Sequence, residues 1–328
     1  MRMTMQQALV SAIAEEMRAD TNVFVMGEDV GAFGGPLRST AGLFEEFGPE
    51  RVRDMPMSES AIVGAAVGAA LQGKRPVVDL MFLEFLGLIM QQLFDAGAMH
   101  YYSGGAVSVP MVVRGKYGVG PHHGHQYDLH SWAVNTPGIK VVAPASPADA
   151  KGLMRAAIRD PNPVLFLEHM GLYHAGREEV SEDPDFIVPL GLAKIARPGA
   201  DVSVFASAMM VKQALRAAKT LEGEGIDVEV VDLRTIAPLD RDTVLASARK
   251  TGRAVVACEA IRSGGSANDV AALLAEEAYD ALCAPVVRVT PPAMPVPFHR
   301  QLEGRYVPGP DTIADAVRKV AKVSGRRR

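Results

Sequence analysis

The segment Asp54-Met55-Pro56-Met57-Ser58-Glu59-Ser60-Ala61-Ile62-Val63-Gly64-Ala65-Ala66-Val67-Gly68-Ala69-Ala70 sets one carboxylate at the head of a helix made almost wholly of small and apolar residues. Glycine inside a helix costs roughly 1 kcal/mol relative to alanine, so a helix that keeps Gly64 and Gly68 is expected to use them for close packing. Glu59 is then expected to open a buried helix. Burial raises a carboxyl pKa, and a carboxyl poised between its two states suits general acid-base chemistry. A second reading stands beside the first: Ser58 is a good N-cap, and an acid in the first helical turn complements the helix dipole.

Outward from this segment the chain alternates strand-like and helical runs, the pattern of a mainly parallel sheet covered on both faces. Strands are predicted at Val23 to Gly27, Val77 to Met81, Met111 to Arg114, Ile139 to Ala143 and Val164 to Glu168. Ala8, Leu9, Ala12, Ile13 and Met17 mark a first amphipathic helix, and a later one follows Ser146-Pro147. Gly171 to Gly199 lose this periodicity and gather acids and prolines, which places the domain connection there. A second alternating series then runs from a strand at Val202 to Ala206 to a last helix at Thr312 to Val323. The expected fold class is α/β, two doubly wound domains at residues 1–180 and 201–328 joined by a linker at 181–200.

Composition narrows the function. The 328 residues are 48% hydrophobic and 22% charged with a net charge of −4, an ordinary globular balance with no basic surface for nucleic acid or an anionic membrane. Arg326-Arg327-Arg328 is read as a solvated end. No apolar run reaches the roughly 18 to 20 residues needed to cross a bilayer, and the first residues lack a signal-peptide core, so a cytoplasmic location is expected. Cys258 and Cys283 are read as small buried hydrophobes, not as a disulfide or metal pair.

Several loops carry candidate chemistry. Glu28 and Asp29 follow the strand ending at Gly27, where open α/β sheets bind ligands, although Asp29 and Gly31 also suit a plain turn. Gly31-Ala32-Phe33-Gly34-Gly35 has neither dinucleotide nor nucleoside-triphosphate spacing, so the chain shows no phosphate cradle of its own. Met81-Phe82-Leu83-Glu84-Phe85 offers soft, large side chains that can bed a flat heteroaromatic ring or simply pack a core. Gln91, Gln92 and Asp95 on the following helix read as a polar interface edge. Pro121 to His130 gathers four histidines, at 122, 123, 125 and 130. Their spacing fits no zinc site, and a proton donor or a hydrogen bond to a carboxylate substrate is the expected role. Arg262 to Asp269 precedes a helix whose free N–H groups can hold an anion; contact with a partner chain and capping by Ser266 are the competing readings.

Ordered blocks along nearly the whole chain carry a resemblance. They are Met26-Gly27-Glu28-Asp29-Val30-Gly31, Arg51 to Glu59, Ile62 to Ala70, Tyr101-Tyr102-Ser103-Gly104-Gly105, Pro137 to Val142, Asp149 to Leu153, Val231 to Thr235 and Pro238-Leu239-Asp240. The chain resembles the β subunit of the thiamine-diphosphate-dependent decarboxylating component of 2-oxoacid dehydrogenase complexes, the group of pyruvate, branched-chain 2-oxoacid and acetoin dehydrogenases. The resemblance implies a transketolase-like pyrimidine-binding domain followed by a transketolase carboxy-terminal domain. It implies a 2-oxoacid substrate, a heterotetramer of two α and two β chains, and delivery of the acyl group to lipoamide on a dihydrolipoamide acyltransferase core. Magnesium and the diphosphate would sit mostly on the α subunit. The resemblance places Glu59 on the aminopyrimidine, with Glu28, Met57, Met81 and Phe85 around the cofactor and His125 assisting acyl transfer. Counting back from Trp132 and Pro137 leaves His122 and His123 as alternates for His125. Met111, Ala157, Ile158, Asp160 and Asn162 map onto a backbone potassium site. Leu80 to Gly87 resembles the acetoin subgroup, which makes an acetoin dehydrogenase β subunit the runner-up. His125-Gln126-Tyr127 departs from the family's usual His-Ser-Gln, and a catalytically impaired docking subunit is the non-enzyme alternative.

Overall fold

The computed structural model describes residues 1–120 and 124–323. His122, His123 and the Arg326-Arg327-Arg328 end lie outside the described residues. Two compact units divide the chain, Met1–Leu190 and Gly191–Arg328.

The first unit runs β1 (Arg2–Met3), α1 (Met5–Ala19), β2 (Val23–Gly27), α2 (Leu43–Phe47), β3 (Val52–Asp54), α3 (Glu59–Leu71), β4 (Arg75–Phe82), α4 (Leu86–Tyr102), β5 (Val112–Tyr117), α5 (His130–Val134), β6 (Lys140–Val142), α6 (Pro147–Arg159), β7 (Val164–His169) and β8 (Glu178–Glu179). Its central strands lie in the order β3-β2-β4-β5-β7-β6, every neighbouring pair parallel. The β2, β5 and β7 strands are buried along their whole length, as strands covered on both faces must be. Thr4 and Gln7 form a reciprocal cap on α1, and Ser146 with Pro147 starts α6. These two helices pack on each other, and Glu16 of α1 is held by Arg155 and Arg159 of α6 at 2.8–2.9 Å.

The second unit runs β9 (Lys194–Arg197), β10 (Val202–Ala206), α7 (Ala208–Glu222), β11 (Val228–Asp232), β12 (Thr235–Ala237), α8 (Arg241–Thr251), β13 (Ala254–Ala257), α9 (Ala267–Glu277), β14 (Val287–Val289), α10 (Arg300–Tyr306) and α11 (Pro310–Ala321). Its sheet order is β14-β13-β10-β11-β9, parallel except for β9. Phe205, Val231, Val256 and Leu274 centre its core. Cys258 is buried there and Cys283 half-buried, and neither forms a disulfide among the described residues. Among the described residues no helix is long and apolar enough to cross a membrane.

Three expectations need correction. The α3 helix is not buried all round: Ile62, Val63, Ala66 and Ala70 face the core, whereas Gly64, Ala65 and Gly68 face outward. Among the described residues, nothing beyond the backbone of α3 itself lies within 4 Å of a Cβ added at Gly68. Ser58 occupies the N-cap position of α3 but makes no capping hydrogen bond with its side chain, and the same holds for Ser266 at α9. The stretch read as a linker, 181–200, contains the edge strand β9.

Candidate active site

Parallel order places the carboxyl ends of all the central strands of the first unit on one edge, and the chain reverses its direction of travel across the sheet between β2 and β4. Such a reversal opens a crevice above the strand ends, the common ligand position in open α/β sheets. Gly27 brings the two strands together there, since a Cβ on it would stand 2.6 Å from the Asp79 carbonyl oxygen.

Glu28 is the first residue beyond β2, and Asp29 turns the chain with a left-handed φ of 57°. The Gly31 amide donates to Asp54 Oδ1 at 2.7 Å, and the Met55 amide donates to the Gly27 carbonyl at 2.9 Å. These two bonds stitch the loop after β2 to the end of β3, from which Met55 to Ser58 lead to Glu59. Glu59 is half-buried at the first position of α3, beside the positive end of the helix dipole. Burial, then Asp29, then Glu59 push the Glu28 carboxyl above the usual carboxylate range, so the two strand-end acids feel each other. Met57 stands 76% exposed between them in sequence, a large apolar side chain left without cover within this chain.

A second cluster forms at the ends of β4 and β5. The β4–β5 register shifts between Asp79 and Phe82, and Met81 adopts a left-handed φ of 70° while its amide donates to Asp79 Oδ1 at 2.9 Å. A non-glycine residue held there is strained, and such strain concentrates at functional positions. The bulge delivers Phe82, Glu84 and Phe85 to the loop after β5. His125 stacks on Phe82 at 4.6 Å and 13°, and meets Phe85 edge-on at 5.6 Å. Its Nδ1 lies 3.1 Å from Glu84 Oε2, while Glu84 Oε1 accepts the amides of Gln126 at 2.9 Å and Tyr127 at 3.1 Å. The structure thus joins Phe85 to His125, while Glu28 and Glu59 are linked through the charge that Glu59 places on Glu28. Glu84 and Phe82 went unremarked as individuals in the sequence, although an acid inside an otherwise apolar run was the available sign. His130 is buried against Asp128.

Beneath both clusters lies a fully buried charge network. Lys116 Nζ donates to both oxygens of Asp79 at 2.6 and 2.8 Å, Ser39 donates to Asp79 at 2.7 Å, and Arg114 forks onto Glu168 at 2.6 and 3.1 Å. Burial pushes Asp79 up, but Lys116 and Arg114 outweigh it and bring the carboxyl below its usual range. Burial and the Glu168 charge raise Tyr173, which donates to Glu168.

The five residues mapped onto potassium sit at the opposite, amino-terminal edge of the sheet. Arg75 donates to the Ile158 carbonyl at 2.8 Å and the Asp160 carbonyl at 3.2 Å. Met111 and Ala157 carbonyls accept from the amides of Val164 and Asp160. The buried Asn162 Oδ1 has no hydrogen-bond partner.

Comparison with known proteins agrees with this geometry. Residues 1–175 match the transketolase pyrimidine-binding domain and residues 191–313 the transketolase C-terminal domain. A split-gene transketolase in an inactive β4 tetramer superposes with a TM-score of 0.78 at 26% identity, covering 98% of this chain and 99% of that one. The two matched domains and the fold therefore define a transketolase-type protein. The chain is 45% identical to the pyruvate dehydrogenase E1 component subunit beta of Bacillus subtilis, over 97% of this chain and 98% of that one. It is 41% identical to the 2-oxoisovalerate dehydrogenase subunit beta of the same organism, over 96% and 97%. It is 43% identical to the acetoin:2,6-dichlorophenolindophenol oxidoreductase subunit beta of Cupriavidus necator, over 98% of each. The chain belongs to the E1 β-subunit family of the 2-oxoacid and acetoin dehydrogenases.

Proposed function

We propose that this chain supplies the pyrimidine half of a thiamine diphosphate site and works with an α subunit, in an assembly of two α and two β chains, to decarboxylate a 2-oxoacid. The acyl group passes to lipoamide of a dihydrolipoamide acyltransferase core. The observation that carries the reading is the grouping of Glu28 and Glu59, with Met81, Phe85 and His125, on the carboxyl edge of one parallel sheet.

The residues present fit one end of the cofactor. An exposed Met57, a strained Met81 and the Phe82–Phe85 pair offer apolar and aromatic surface for a flat ring. The Gly31 to Gly35 loop lacks phosphate-binding spacing, which is in keeping with magnesium and the diphosphate being held mostly by the α chain. When bound, thiamine diphosphate supplies the electron sink that makes cleavage beside a carbonyl carbon feasible. Glu59 would share a proton with a ring nitrogen of the aminopyrimidine, from its place at the first position of α3. Burial, Asp29 and Glu59 hold the Glu28 carboxyl above its usual range, so it is the acid of the pair that takes up a proton more readily than an ordinary glutamate. His125 exchanges a proton with the group undergoing transfer, held in place by its aromatic stack.

Potassium fits the Asp160 turn, where carbonyl oxygens gather and Asn162 Oδ1 is buried with no hydrogen-bond partner among the described residues. Acetoin is the second reading, favoured by the Leu80 to Gly87 segment and by the Cupriavidus necator relative. One experiment separates the substrates. The chain is copurified with the α chain it captures, supplied with magnesium and thiamine diphosphate, and offered pyruvate, branched-chain oxoacids and acetoin with an artificial electron acceptor. Reduction with a 2-oxoacid is expected. Reduction with acetoin alone moves the assignment to the second reading, and no reduction with any of the three overturns both.

A further inference from the structure

We propose that Glu84 is the positioning residue of His125, fixing the imidazole so that Nε2, not Nδ1, exchanges the proton. This rests on the reading of His125 as the residue that assists acyl transfer. An ionised carboxylate can only accept hydrogen bonds, so the 3.1 Å contact to Glu84 Oε2 requires the hydrogen on Nδ1 of a neutral ring. Nε2 is left as the free acceptor. The ring has little freedom to escape this state. Phe82 lies parallel to one face, Phe85 meets it edge-on, and the backbone on the carboxyl side of His125 is tied to the same Glu84 through the Gln126 and Tyr127 amides. A single side chain from the end of β4 therefore sets the loop after β5 and the tautomer of its histidine together. His125 remains 46% exposed at its side chain while Glu84 is only 20% exposed, so the pair presents the imidazole and withholds the acid. This is the division of labour of an orienting carboxylate behind a working imidazole, in which the wrong tautomer costs far more than a lost contact.

The two oxygens of Glu84 do separate jobs, which gives the test its discrimination. In Glu84→Gln the amide oxygen can keep both backbone bonds, while the amide nitrogen faces Nδ1 and forces it to become the acceptor. Holoenzyme assembled with the α chain is read twice, by reduction of an artificial acceptor and by acyl transfer to free lipoamide. Glu84→Gln is expected to lower lipoamide transfer at least about tenfold. In a His125→Ala background the same substitution is expected to add less than about twofold, because its effect runs through the ring. Equal losses with and without His125 would make Glu84 a structural residue and end the proposal. Normal transfer by Glu84→Gln beside impaired transfer by His125→Ala would also end it while leaving the role of His125 intact. Normal transfer by His125→Ala would instead remove the reading of His125, and this proposal with it. A measurement that needs no stable Glu84 variant stands alongside: in the unaltered chain labelled with nitrogen-15 histidine at pH 8, the His125 signals, identified by their loss in His125→Ala, should show Nδ1 protonated. A ring protonated at Nε2 overturns the proposal.

Discussion

Glu28, one residue past β2, and Glu59, at the first position of α3, lie close enough that the charge on Glu59, after burial and Asp29, helps hold the Glu28 carboxyl above its ordinary range. The sign of the linkage follows. A carboxyl raised in the folded chain costs stability once pH climbs through the unfolded value and costs nothing when both states are protonated. Glu28→Gln should therefore melt higher than the unaltered chain at pH 7, and the advantage should vanish as pH falls through the ordinary carboxylate range. Melting curves of the isolated chain across pH 3.5 to 7 check this; an advantage that persists at the acid end would contradict it.

Glu59 is half-buried and makes no hydrogen bond that holds α3 together; its removal should leave the fold intact. Glu59→Gln is expected to assemble with the α chain as usual and to lose activity by about 10² or more, the scale of a lost proton-transfer group. Sedimentation of the complex and acceptor-reduction rates provide the two readings. In line with a shared site, calorimetry should find only weak binding of thiamine diphosphate to the isolated chain, and tight binding without a partner would refute the division of the cofactor.

Lys116 is the main counter-charge of the fully buried Asp79. Lys116→Met leaves that carboxylate with Arg114 at 3.6 Å and Ser39, and the loss of one partner of a buried pair typically costs about 3 to 5 kcal/mol. Because Asp79 is held below its ordinary range, the stability it confers is present above the unfolded pKa and lost as pH falls through the lower folded value. Urea unfolding at pH 7 should show the full deficit of the variant, and a difference below about 1 kcal/mol would mean that the network relaxes.

How much of this was legible in the sequence differs by kind of feature. Strands buried on both faces announce themselves as continuous apolar runs, and Val23–Gly27 and Val202–Ala206 are found where the sequence predicts them. The β9 strand was hidden because it lies at a sheet edge with Lys194 and Ile195 exposed, which leaves neither an apolar run nor a clear alternation. The α10 helix, seven residues after a proline-rich stretch, was hidden by its shortness. At the candidate site the strand-end positions of Glu28, Met81 and Phe85 could be read, since topology alone puts them there. The pairing of Glu84 with His125 could not, because it spans 41 residues and depends on a bulge that no periodicity records.

Asn162 Oδ1 is buried with no hydrogen-bond partner among the described residues, one residue from Pro161 and two from Asp160, whose carbonyl accepts from Arg75, and a large monovalent cation is the ligand proposed for this turn. A ligand that binds only the folded state stabilises it by mass action. The assembled enzyme should melt higher in potassium chloride than in choline chloride at equal ionic strength, and Asn162→Ala should shrink the difference. Identical melting in the two salts would show that Arg75 alone serves these carbonyls.

Gly68 gives the sharpest contrast between the lone chain and the assembly. Its position on α3 faces outward with open space around an added Cβ, and Gly64 on the same face meets only Gln92 Cγ at 3.9 Å. Within the chain, then, neither glycine is needed for packing, and each weakens its helix. Gly68→Leu should stabilise the isolated chain by about 0.5 to 1 kcal/mol through helix propensity. If a partner backbone approaches this face, the same side chain must block it, so coexpression with the α chain should yield separate subunits on sedimentation. A variant that melts higher and still assembles normally would place the partner on another face; one that melts lower would mean that α3 is covered in the lone chain after all.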